Sequence, residues 1–486
     1  MHNIIEVKNG IARIEAYRMK EPVTVSIPAD EPLAIIGENG SGKSLLVDIL
    51  TGAHPLWGTE VKYNFSPSAS KKASENIKTV TFRDVYGEAA GSYYQQRWNQ
   101  WDMDDMKTVK EIFASVTASS ETLRELDTVL GLESLLSKKM IMLSSGELRR
   151  VQLAEVLLGE PRLIILDNPY VGLDANARIQ ISDFLARVAR LGKTMIIVVV
   201  SRIKDIPYFI DKVLPVENGK LLPITDKKKY IEDFAAKETS ENVKCPLFFE
   251  PATDMTNNNN GAGCDKTIVF CNNINIGYGN RRILKDFSWK VNRGEHWALT
   301  GENGSGKSTL LSLVCADNPQ SYACDISLFG FRRGSGESIW DIKKRIGYVS
   351  PEMYRSYKKN IPAVDIVASG LHDSVGLYKR ITDDERRHVL SWMKVFEVDN
   401  LATRPYLQLS SGEQRMLLLV RAFVKDPELL VLDEPFHGLD EKRRIFSRGI
   451  IDSFCKRPGK TLIMVTHYED EYPDSIDHKL VLKKTV

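Results

Sequence analysis

Apolar residues along this chain fall into short runs of four or five that end in polar turns, and the runs come twice in the same order. PLAIIG at 32–37 and HWALTG at 296–301 each read as a strand. Each leads into a glycine-rich polar octet, and each octet is followed by apolar positions at helical spacing, SLLVDIL at 44–50 and STLLSLV at 308–314. Further on, LIILD at 163–167 and LLVLD at 429–433 are apolar throughout until a terminal Asp, the pattern of a strand buried on both faces of a parallel sheet. The stretch KVLPVENGKLLPI at 212–224 predicts a small hairpin, because Asn218-Gly219 suits a two-residue turn with both φ angles positive. A helical pattern, KKKYIEDFAAKE, follows it.

The octet GENGSGKS stands at 37–44 and again at 301–308, LSSGE at 143–147 and at 409–413, and the Asp-terminated runs keep the same order. The offsets between copies are 264, 266 and 266 residues, so the chain carries a duplicated domain and not a scatter of chance matches. Strand, glycine-rich loop and helix together form the context of a phosphate-binding loop. Glycines let the loop turn its N–H groups inward, the helix N-terminus faces the anion, a lysine reaches the terminal phosphates and a hydroxyl serves a cation. The candidate nucleotide contacts are Gly37, Glu38, Asn39, Gly40, Ser41, Gly42, Lys43 and Ser44, and, in the second copy, Gly301, Glu302, Asn303, Gly304, Ser305, Gly306, Lys307, Ser308 and Thr309. A carboxylate at the end of a buried strand is costly unless it holds a cation, so Asp167 and Asp433, with Ser44 and Ser308, are the candidate Mg²⁺ ligands. Capping of the next helix is the structural alternative for each Asp.

The order of phosphate loop, LSSGE about a hundred residues later, Asp-terminated strand and then GLD (172–174 and 438–440) resembles the ATP-binding cassette (ABC) family in both halves. LSSGE is similar to that family's signature. The resemblance implies an α/β fold of two tandem P-loop NTPase domains, each with a mixed or parallel sheet core and a helical subdomain. It also implies head-to-tail closure, so that Ser144, Ser145 and Gly146 complete the site built on Lys307, while Ser410, Ser411 and Gly412 complete the one on Lys43. In the second half Glu434 matches the family's water-polarising carboxylate and His467 its γ-phosphate histidine, the two groups hydrolysis needs. The matching first-half positions hold Asn168 and Ser201, which can serve neither role. The resemblance therefore implies one hydrolytic site and one that mainly binds ATP. Tyr278, 23 residues before Gly301, matches the adenine-stacking aromatic, with Tyr17 its nearest counterpart in the first half. The family's glutamine after the next strand has no clear match: Pro351 and Glu352 stand there in one half, Phe82 and Arg83 in the other, and Gln95 and Gln96 lie too far downstream.

Composition narrows the setting. Of 486 residues, 43% are apolar and 27% charged, which excludes a largely disordered chain. Lys and Arg number 66 against 64 Asp and Glu, a net +2, so there is no global footprint for nucleic acid and none is expected as a partner. No run approaches 18 apolar residues, so no span across a membrane is predicted, and the start lacks the features of a secretory leader, which predicts a cytoplasmic chain. The six cysteines show no metal spacing and read as packing residues.

The predicted domains are a first cassette at 1–225, an Asn-rich linker at 226–266 and a second cassette at 267–486. The linker carries six Lys and eight acidic residues, a net −2. A twin-cassette ABC-F factor, whose inter-cassette arm reaches ribosomal RNA, should have a basic helical arm, and the repair and chromosome-maintenance ATPases need long insertions absent here. The resemblance therefore favours the ATPase subunit of a transporter, peripheral to the inner face of the cell membrane and partnered by an integral-membrane permease. Within that class the impaired first half, DEPFHGLD and THYEDE resemble the twin-cassette molybdenum-transport ATP-binding proteins. Segments 92–106 and 361–380, between phosphate loop and signature, are the candidate permease contacts, with internal packing of the subdomain the alternative for each.

Overall fold

The computed structural model describes residues 2–81, 108–114, 135–139, 143, 145–170, 173–240, 266–278, 281–357, 360–374 and 379–484. The chain divides into two compact units, Met1–Asn242 and Val243–Val486. In each unit the apolar runs become neighbouring strands of one central sheet. The first unit orders them Lys212–Glu217, Leu33–Ile36, Met195–Val200, Leu163–Asp167 and Ile77–Thr81, all parallel. The second repeats that order with His478–Leu482, His296–Gly301, Thr461–Val465, Leu429–Asp433 and Ile346–Val349, again all parallel. The expected hairpin is present: Val216 and Glu217 pair antiparallel with Leu221 and Lys220, and Asn218 and Gly219 both take positive φ.

Strand periodicity sorts each sheet's side chains into two cores. Leu429, Val431, Ile463 and Val465 face one side, where they meet the helix Lys307–Val314 and an antiparallel sheet built from Thr267–Tyr278, Arg281–Asn292, Asp325–Leu328 and Phe331–Arg332. Leu430, Leu432, Leu462 and Met464 face the other, against helices Asp383–Val395, Ser411–Phe423 and Glu441–Cys455. The first unit alternates the same way, with Leu163, Ile165 and Ile197 on one side and Ile164, Leu166 and Val198 on the other. Each such side chain, fully buried, contributes about 1.5–3 kcal/mol, so continuously apolar strands are what a sheet covered on both faces requires.

The helical subdomain of the second unit packs around aromatic contacts, with Phe423 touching Phe396, Trp392 and Phe454 at ring centroid distances of 5.3, 5.9 and 5.4 Å. Its helix Ala363–Ala368 takes the packing alternative for part of one candidate permease contact. Ala363, Val364, Ile366, Val367 and Ala368 are buried in this core, so that part of the 361–380 segment is internal packing and offers no docking groove. The other segment, 92–106, lies outside the described residues. Part of the predicted linker is the helix Lys227–Ser240, and residues 241–265 lie outside the described residues. Cys271, Cys315 and Cys455 are buried free thiols, as expected of packing residues.

Because Phe423 is fully buried and ringed by three aromatics, Phe423→Ala should destabilise the second unit by about 3–5 kcal/mol. Calorimetry should record that as a lowered unfolding midpoint.

Candidate functional site

Each glycine-rich octet leaves the carboxyl end of a central strand and enters a helix, Lys43–Thr51 in one unit and Lys307–Val314 in the other. The sheet order reverses at this strand, the place where parallel α/β sheets open a crevice for ligands. Gly37 and Gly301 admit no side chain: a Cβ there would lie 2.1 Å from the Val216 carbonyl oxygen and 2.4 Å from that of Leu482. Gly40, Gly42, Gly304 and Gly306 hold φ between 79 and 103°, the left-handed region in which a Cβ is strained.

Inside the loop the lysine folds back on its own backbone. Lys43 Nζ donates to the Gly37 and Glu38 carbonyls, both at 2.8 Å, and Lys307 Nζ to those of Gly301 and Glu302 at 2.6 and 3.0 Å. Both lysines are buried. The Ser41 N–H donates to the Glu38 carbonyl and the Ser305 N–H to that of Glu302, each at 3.1 Å. The Ser41 and Ser305 hydroxyls are buried with no hydrogen-bond partner among the described residues. Glu38, Gly40, Ser44 and their counterparts Glu302, Gly304 and Ser308 are exposed, while Asn39, Asn303 and Thr309 are half-buried.

Next to the loop strand run the two strands that bring the other groups. Asp167 pairs in register with Val199, and Asp433 with Val465. One residue further, the Asn168 amide donates to the Val199 carbonyl and the Glu434 amide to the Val465 carbonyl, each at 2.9 Å. Asn168 and Glu434 both take the left-handed conformation, with φ of 50 and 49°. Asn tolerates that region; for Glu it is a strained state costing of order 1–3 kcal/mol, and such strain collects at functional sites.

The side chains at these matched positions make different contacts. Glu434 Oε1 lies 3.6 Å from His467 Nε2, with both side chains largely buried. In the first unit, Asn168 Nδ2 donates to Asp167 Oδ1 and the Ser201 hydroxyl donates to Asn39 Oδ1, each at 3.0 Å. Asp440 and Asp174 cap the helices that begin at Glu441 and Ala175, accepting the amides of Arg443 and Ala177 at 2.8 Å. Asp433 is buried and Asp167 half-buried.

The signature sits on a separate element. Ser410 caps the helix Ser411–Phe423: its hydroxyl accepts the Glu413 amide at 3.3 Å, and its own amide donates to Glu413 Oε2 at 2.8 Å. Gly412 is buried and Ser411 exposed. Arg404 pairs with Glu413 at 3.6 Å, and at the same 266-residue offset Lys138 pairs with Glu147 at 2.9 Å. Ser144 lies outside the described residues; Ser145 and Gly146 open the helix Ser145–Leu157.

Tyr278 ends its strand paired with Arg281, and its side chain lies outside the described residues, as do Phe82, Arg83, Gln95, Gln96 and the Glu352 side chain. Tyr17 stacks on His54, with centroids 3.8 Å apart and planes 10° from parallel. Sequence reasoning missed three residues beside His467: Thr466, Glu471 and Tyr472 join through hydrogen bonds. Nothing in THYEDEY marks them, since the stretch reads as an acidic surface turn.

Comparison with known proteins agrees with this arrangement. The sequence pattern of the ABC transporter family matches residues 21–171 and 284–437. The chain is 34% identical to the ABC transporter ATP-binding protein ModF of Escherichia coli over 98% of its own length and 96% of that protein. It is 30% identical to an uncharacterized ABC transporter ATP-binding protein of Schizosaccharomyces pombe, covering 99% and 98% of the two chains. Among solved structures, the archaeal ribosome recycling factor aABCE1, in complex with ribosomal stalk protein aP1, matches with a TM-score of 0.55 at 20% identity, covering 93% of this chain and 83% of that one, a likeness of fold. The chain thus belongs to the ABC transporter family of ATP-binding proteins, carries two of its cassettes, and is an ATPase by the activity of that family.

Proposed function

We propose that the chain binds ATP at both phosphate loops, hydrolyses it at the loop built on Lys307, and serves as the ATPase subunit of a transporter, of the molybdate-import type. The observation that carries the hydrolytic part is the Glu434–His467 pair, 3.6 Å apart at the carboxyl ends of adjacent strands, against Asn168 and Ser201 on matching backbone. Glu434 is the base that takes a proton from the attacking water, and His467 contacts the γ-phosphoryl oxygens as their charge develops. The Asn168 amide can take no proton, and its bond to Asp167, like that of Ser201 to Asn39, leaves the first site a holding site.

Lys43 and Lys307, whose ammonium groups lie at the loop carbonyls, are the groups that reach the terminal phosphates of ATP. The open space beside Gly40, the Ser41 and Ser305 hydroxyls without a hydrogen-bond partner among the described residues, and the inward-turned loops suit an anionic guest. Hydroxyl and carboxylate donors also suit Mg²⁺: Ser44 with Asp167 and Ser308 with Asp433 would hold it, and when bound it supplies charge neutralisation on the phosphates. Tyr278 stacks on adenine in the second cassette. The signature residues Ser144, Ser145 and Gly146, and Ser410, Ser411 and Gly412, are assigned to nucleotide binding by the resemblance to the family.

The transport reading rests on the similarity to transporter ATP-binding proteins over nearly the whole chain and on the acidic linker, which is ill suited to RNA. On this reading a permease subunit supplies the channel and the chain is peripheral to the inner face of the cell membrane; among the described residues no helix is long and apolar enough to cross a membrane. The molybdate assignment extends the sequence resemblance alone.

Glu434→Gln should lower kcat for ATP about 10²- to 10⁴-fold while ATP still binds, and Asn168→Ala should change kcat little. Equal losses in the two variants, measured by steady-state phosphate release, would end the asymmetric reading. For the partner, tagged Glu434→Gln protein held in ATP should bring a permease subunit out of gently solubilised membranes. Sedimentation with ribosomes and recovery of no permease would overturn the transport reading.

A further inference from the structure

The peptide that carries His467 is anchored at the residue before it. Thr466 is buried, and its hydroxyl and its carbonyl are both engaged by the turn that follows. Its hydroxyl donates to a carboxylate oxygen of Glu471, itself 1% exposed, and accepts the Tyr468 amide at 3.2 Å. Its carbonyl accepts the Tyr472 hydroxyl at 3.2 Å. Burial pushes the Tyr472 phenol above its ordinary range, which keeps it a neutral donor. A carboxylate so deeply buried is costly unless hydrogen-bonded, and here the Thr466 hydroxyl is one of its partners.

The first unit is an internal control. At the same 266-residue offset, Val200 stands for Thr466, Ser201 for His467, Asp205 for Glu471 and Ile206 for Tyr472. Hydroxyl and phenol are both gone, and Asp205 turns to Arg178 at 3.5 Å. Yet the same one-turn 3₁₀ helix forms in both units, Ile203–Asp205 and Glu469–Glu471, closed by the same backbone bond, from the Asp205 amide to the Arg202 carbonyl at 3.1 Å and from the Glu471 amide to the Tyr468 carbonyl at 3.2 Å. The turn does not need the three bonds in order to fold; they accompany the histidine.

We propose that Thr466, Glu471 and Tyr472 are positioning residues for the hydrolytic site: by clamping the Thr466–His467 peptide they hold the imidazole beside Glu434, where it meets the γ-phosphate. The clamp rests on the role assigned above to His467 and explains how that role is kept. Strand Thr461–Val465 ends just before it, so Thr466 and His467 lie past the ladder, and the clamp is what ties the Thr466–His467 peptide to the turn that follows. Displacement of a reacting group by about 1 Å can cost as much as 10²-fold in rate.

The test is a mutant cycle read in kcat and KM for ATP. Thr466→Val, nearly the same shape without the hydroxyl, should lower kcat roughly tenfold or more at unchanged KM, Tyr472→Phe should lower it in the same direction, and Thr466→Ser should retain wild-type turnover. In a His467→Ala background, Thr466→Val should cost nothing further, since the group it positions is gone. Equal losses from Thr466→Val with and without His467, or full turnover in Thr466→Val, would overturn the clamp while leaving His467 its role. Normal turnover in His467→Ala alone would overturn that role, and the clamp with it.

Discussion

The hydrogen bond from the Glu434 amide to the Val465 carbonyl, and its counterpart from Asn168 to Val199, decides where the chemistry of each unit can stand. It carries the pairing of two parallel strands one residue past the terminal Asp, and it does so with the donor residue in the left-handed conformation. The chain must then turn, so the side chain at 434 projects beyond the sheet next to the group two residues after Val465. The positions of the glycine-rich loop, Asp433, Glu434 and His467 all follow from three adjacent strands ending level. The apolar filling of those strands on both faces is what holds them level.

On that shared frame the two units differ by a few side chains and by little else. Asn168 is a residue that accepts a positive φ at low cost, and its amide bonds to the neighbouring Asp167. Glu434 accepts the same φ under strain, and its carboxylate faces His467. The first unit has relaxed where the second has kept its strain. The bonds around Thr466 follow the same division, being present where a histidine must be held and missing where Ser201 reaches Asn39 instead. Asymmetry therefore extends past the two substituted groups into the residues that support one of them.

What could be read from the sequence was what depends on short stretches of chain. The octets, the Asp-terminated strands and the Asn218–Gly219 turn are each specified within a dozen residues by glycine placement and apolar period, and the constant offset supplied the duplication. Long-range packing was less legible. The run around Ala363–Ala368 mixes apolar with polar residues as a docking surface would, yet its apolar residues are buried in one core with Trp392, Phe396 and Phe423, 24 to 60 residues further along the chain. Tyr17 has the composition of an adenine contact, but its ring stacks on His54, 37 residues on. Thr466, Glu471 and Tyr472 gave no signal because their meaning lies in hydrogen bonds folded back on a six-residue turn, and acidic residues in a turn ordinarily face water.

The central claim is that one chain holds two ATP and cleaves one, and counting nucleotides tests it most directly. Chain saturated with labelled ATP and Mg²⁺, washed rapidly free of unbound nucleotide and quenched after a single turnover, should retain two nucleotides, of which one is ADP and one is intact ATP. Two ADP per chain would contradict the account, because the site built on Lys43 would then hydrolyse without a base at position 168.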